Sequence, residues 1–66
     1  MTASEALSSM MAATGGNRSR LARELGIRRE TLLNYEHGRT KPTTSTTYAM
    51  AAWCWKNQCF GAAHFW

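Results

Sequence analysis

The 66-residue sequence has no aspartate, one proline and two cysteines, and its eight basic residues face only four acidic ones. Each scarcity excludes something. Without aspartate, and with His37 and His64 far apart, no nucleophile–base or paired acid–base set is available, so no catalysis is expected. Gly15-Gly16 leads into a segment with no phosphate-loop lysine. Two cysteines are too few for a disulfide framework, which points to free thiols in a reducing cytoplasm. Cys54, Cys59 and His64 recur every five residues, but five residues turn a helix by about 140°, so successive ligands would diverge. With no C-x2-C pair and no fourth ligand, neither a metal nor another cofactor is expected. Residues 1–16 carry no Lys or Arg, so no secretory signal is read there, and no apolar run approaches the roughly 20 residues of a membrane span.

What is present is concentrated in the middle. Arg18, Arg20, Arg23, Arg28, Arg29, Arg39 and Lys41 are seven of the eight basic residues. Residues 1–16 hold one charge, Glu5, and residues 42–66 hold one, Lys56. A basic centre between nearly uncharged ends suggests one surface for a polyanion and another for packing or self-association.

The same stretch carries a helical rhythm. Thr2-Ala3-Ser4-Glu5 fits a capping box, opening a first helix from Ala3 to about Ala13 with Ala6, Leu7, Met10 and Met11 on its core side. Thr14-Gly15-Gly16 ends it. Asn17 suits the N-cap of a second helix, Arg18 to Leu25, on which Arg20 and Glu24 can pair across one turn. Gly26 then breaks the rhythm, Ile27 plugs the angle, and a third helix runs from Arg28 or Arg29 to His37, closed by Gly38. Two short helices about a glycine turn, rich in arginine, form the helix-turn-helix pattern, whose second helix enters the DNA major groove.

Leu21-Ala22-x-x-Leu25-Gly26-Ile27, followed by Leu32-x-x-Tyr35-Glu36-x-Gly38-Arg39-x-x-Pro42, resembles the Cro/C1-type helix-turn-helix repressors of phages and bacteria. The resemblance covers residues 17–42 well and extends loosely through Trp53. It implies an all-α, lambda-repressor-like bundle of four or five helices, forming one domain over residues 1–66. One departure stands out. Many such domains pair a basic residue late in the first helix with the glutamate matched by Glu36, but here Met11 holds that place. Glu36 must find another partner, with Arg20, Arg39 or backbone amides of the following loop as candidates, or face water, since an unpaired buried carboxylate is too costly.

Leu32 and Tyr35 must face the core, which turns Arg29, Glu30, Leu33 and Asn34 outward. Arginine forks onto guanine, asparagine matches the adenine edge and glutamate accepts from cytosine. Arg29 and Asn34 are the expected base readers, assisted by Arg28 or Glu30. Leu33 either touches a thymine methyl or is buried at its edge by a small helix rotation. The resemblance places the start of the second helix and the loop after the third against phosphates: Asn17, Arg18, Arg39, Thr40 and Lys41.

Thr44 or Ser45 is expected to cap a fourth helix, Ser45 to about Lys56, with Tyr48, Ala49, Ala52 and Trp53 closing the core. The tail over 53–66 carries five aromatic rings, Trp53, Trp55, Phe60, Phe65 and Trp66, more than one small core can hide. It reads as a homodimer interface, with folding back onto its own domain as the alternative. The expectation is a cytoplasmic repressor that binds an inverted-repeat operator in double-stranded DNA, without membrane or small-molecule ligand. The resemblance adds a phage or mobile-element setting and autoregulation. The rivals are an antitoxin, using the tail to neutralise a toxin, and a helix-turn-helix fold kept only for protein contacts, with no DNA site.

Overall fold

In the computed structural model, which describes Met1–Trp66, the Thr2 hydroxyl accepts from the Glu5 amide at 3.1 Å and the Glu5 carboxylate accepts from the Thr2 amide at 2.8 Å. This reciprocal cap starts α1 (Ala3–Ala13). It is followed by α2 (Arg18–Leu25), α3 (Arg29–Glu36), α4 (Thr44–Lys56) and α5 (Phe60–Phe65), an all-α arrangement of five helices. None is long and apolar enough to cross a membrane.

The joints are built from backbone chemistry. The Thr14 side chain, buried at the end of α1, donates to the Met11 carbonyl at 2.7 Å and accepts from the Asn17 amide at 3.1 Å. That hydroxyl locks the α1–α2 corner. Asn17 in turn caps α2, its side chain accepting from the Arg20 amide at 3.0 Å. At the far end of α2, Gly26 adopts φ 73°, its amide donates to Arg23 O and the Ile27 amide donates to Ala22 O. These bonds satisfy the last carbonyls of α2 in the left-handed turn that glycine alone adopts freely. Ile27 then packs half-buried against the core.

The core draws on every helix: Ala6, Leu7 and Met10 from α1, Leu21, Ala22 and Leu25 from α2, Leu32 and Tyr35 from α3, Met50, Trp53 and Cys54 from α4, and Ala62 and Ala63 from α5. Two expectations for α4 are corrected. Its N-cap is Thr43, not Thr44 or Ser45, with the Thr43 hydroxyl accepting from the Thr46 amide. Its phase also differs, because Met50, Trp53 and Cys54 point inward while Tyr48 and Ala52 are exposed and Ala49 is half-buried. The tail does fold back, since α5 packs on α4 and α1. Trp53 belongs to the monomer's own core and leaves the proposed interface set. Trp55, Phe60 and Phe65 stay exposed, and Trp66 lies half-buried at the core's edge.

Candidate nucleic-acid interface

The packing of Leu32 and Tyr35 orients α3. With these two buried, Arg28, Arg29 and Glu30 are exposed, and Leu33 and Asn34 are half-buried on the flank. Arg28 itself is the N-cap of α3 with no side-chain capping bond, so its guanidinium is free of the backbone. The expected outward face is thus turned to solvent most fully at the N-terminal turn of α3. Burial of Leu33's edge answers why a leucine is tolerated there.

Around the start of α2 lies a shallow polar hollow of about 380 Å3, wide open to solvent and lined by Gly15, Gly16, Asn17, Arg18, Ser19 and Arg29. Its lining holds two guanidinium groups and no acidic or apolar side chain. The fold therefore brings Asn17 and Arg18, expected at phosphates, beside Arg29, expected at bases. Ser19, its other polar member, carries no signal in the sequence that marks it for the site. Arg39, Thr40 and Lys41 lie apart from the hollow, exposed in the segment after α3.

Glu36 finds a partner outside the three expected possibilities. Arg18 Nε donates to Glu36 Oε2 at 2.7 Å and Nη2 donates to Oε1 at 3.0 Å, a two-pronged pair from the first residue of α2 to the last of α3. The hydrogen bond, and then the carboxylate's attraction, raise the pKa of Arg18 above its ordinary value. Arg20 is engaged elsewhere, with its Nε donating to Glu24 Oε2 at 2.8 Å as spacing predicts. Glu24's other oxygen accepts from Trp53 Nε1 at 2.8 Å, tying α2 to α4. These donors, Arg20 first and then Trp53, lower the Glu24 pKa. That tie spans 29 residues, beyond any local spacing rule.

No other ion pair forms, so Arg23, Arg28, Arg29, Arg39, Lys41 and Lys56 have no ion-pair partner. At the other end of the chain, Trp55 stacks obliquely on Phe60 at 5.1 Å and meets the edge of His64 at 5.7 Å. Phe65 meets Trp66 edge-on at 4.9 Å, and the Trp66 indole N–H is buried without an acceptor.

No curated protein and no solved structure matches the chain significantly. A family model does match: residues 4–34, just under half the chain, are similar to the bacterial regulatory protein, Fis family. The match runs from α1 across α2 and its turn into α3, and stops before the Tyr35–Pro42 segment that the Cro/C1 resemblance leaned on. Geometry and match together support a helix-turn-helix DNA-binding domain of a transcription regulator.

Proposed function

We propose that the chain is a sequence-specific repressor of the Cro/C1 manner that occupies an inverted-repeat operator as a homodimer and regulates its own operon. One observation carries the reading: the unpaired cations Arg28, Arg29, Arg39 and Lys41 gather at the two ends of α3, whose inner side is fixed by Leu32 and Tyr35. In this reading Arg29 and Asn34 read base edges, with Arg28 and Glu30 beside them. Asn17, Arg18, Arg39, Thr40 and Lys41 hold phosphates. The exposed rings of Trp55, Phe60 and Phe65 support dimerisation through α4 and α5, with Trp66 at the margin. Two recognition helices would then stand about 34 Å apart, one turn of DNA.

A gel-shift titration on the DNA upstream of the gene, with excess random duplex as competitor, tests the reading. A shift that survives competition and footprints an inverted repeat is expected. Loss of all binding to competitor DNA would refute sequence-specific repression at that site. Sedimentation of the wild type against Trp55→Ser/Phe60→Ser tests the dimer, which the double variant should dissociate. The same exposed rings favour the antitoxin reading if co-expression with a neighbouring gene product yields a stable heterocomplex.

A further inference from the structure

Arg18 and Glu36 each stand at the unfavourable end of a helix. A cation at the first residue of α2 opposes the positive end of that helix dipole, and a carboxylate at the last residue of α3 opposes the negative end. Neither helix offers local relief, since α2 has no acidic residue in its first turn and α3 no basic residue in its last. Their cross-link offsets both placements. It also joins the two ends of the motif that lie away from the Gly26 turn, so α3 is fixed to α2 at both of its ends. The planar fork, closed by two bonds of 2.7 and 3.0 Å, restrains rotation as well as distance. Arg18 Nη1 takes no part in it, and the side chain, 33% exposed, lines the polar hollow with Asn17, Ser19 and Arg29.

Resting on the DNA-binding reading above, we propose that Arg18 is a positioning residue that couples a backbone phosphate in this hollow, through Glu36, to the alignment of α3 over the bases. The phosphate is held by the free edge of the guanidinium while the other edge keeps α3 in register. Site discrimination thereby depends on a residue that reads no base.

The test uses the full chain, a duplex selected by the wild type from a randomised library, and a random duplex of equal length. Arg18→Lys keeps the charge without the fork, and Glu36→Gln keeps the shape without the charge. In each, the preference for the selected over the random duplex should fall about tenfold, the scale of one misread base pair. The double variant should lose no more than either single one. Equal losses on both duplexes, or multiplied losses in the double variant, would overturn the coupling, because a purely structural role lowers folded fraction without changing the ratio. Should either variant fail to fold, the wild type decides. Its Arg18 Nε–H must exchange slowly with solvent in the selected complex, and fast exchange there refutes the proposal. A wild type that selects no duplex at all refutes the DNA-binding reading itself, a result distinct from a selective wild type whose variants keep their selectivity.

Discussion

Arg39 and Lys41 provide a quantitative check on which face meets DNA. Both are exposed and neither has a carboxylate partner, so each is free to displace one condensed counterion from a phosphate. Removing one such contact should flatten the plot of log affinity against log salt by about 0.9 per bound protomer. Over a fourfold span, from about 50 to about 200 mM salt, that is about a 3.5-fold smaller loss of affinity for each residue. Arg39→Gln/Lys41→Gln together should give a slope change of about 1.8, or about 12-fold over the same span. If both protomers of a dimer engage, the slope changes double. Fluorescence anisotropy on a labelled random duplex measures this directly. Lys56→Gln is the control, because Lys56 lines the groove between α2 and α4 beside Trp53. An unchanged slope in the double variant, or an equal change from Lys56→Gln, would refute the assignment of the loop after α3 to the phosphate backbone.

Three further outcomes follow from local geometry. Gln58 closes α4 at φ 62°, where a side chain is strained, and its exposure leaves nothing to lose. Gln58→Gly should therefore raise the urea midpoint, the unfolding free energy gaining about 0.5–1 kcal/mol after the entropy glycine adds to the unfolded chain, and a lowered midpoint would contradict the strain. Burial, with Cys59 adding to it, pushes the Cys54 thiol up to about 11, whereas Cys59 is only half-buried. A disulfide reagent at about pH 8 should label Cys59 first and Cys54 only on unfolding; equal rates would count against that. The Glu24 pKa is lowered by Arg20 and Trp53, so its contribution is complete above the unfolded value near 4.3 and lost as pH falls through the lower folded value. Glu24→Gln should flatten stability against pH below about 4.3, and an unaltered acid limb would remove Glu24 as its source.

The parts legible from sequence were those governed by neighbours in the chain. The Thr2–Glu5 box, the Asn17 cap, the Gly26 turn and the Arg20–Glu24 pair each lie within six consecutive residues, and each forms. The phase of α4 is not legible in the sequence for a physical reason. Tyr48, Ala49, Met50, Ala51, Ala52, Trp53, Cys54 and Trp55 are apolar all round, so periodicity specifies no inner face, and contacts with α2 and α5 decide it. Thr43 is one of five consecutive hydroxyl-bearing residues, any of which has cap chemistry, so spacing alone does not single it out. Arg18 and Glu36 lie 18 residues apart, and only the folded angle between α2 and α3 makes them partners.

The tail shows where packing and association divide. Helix α5 turns Ala62 and Ala63 into the core while Phe60 and Phe65 remain 48% and 39% exposed. Burying a phenylalanine is worth about 1.5–3 kcal/mol, so a six-residue helix that hides its methyl groups and shows its rings leaves much of its driving force unused in the monomer. Trp55, on the neighbouring α4, is 54% exposed and already packs against Phe60, so the unused area is contiguous rather than scattered. The inner alanines have a separate logic, because small side chains let α5 lie close on α1 and α4 over a core already filled by Trp53, Met50 and Leu7. One sequence feature, a run of small residues between aromatic ends in a short helix, thus serves two surfaces. In the proposed dimer the inner one completes the fold and the outer one carries the association.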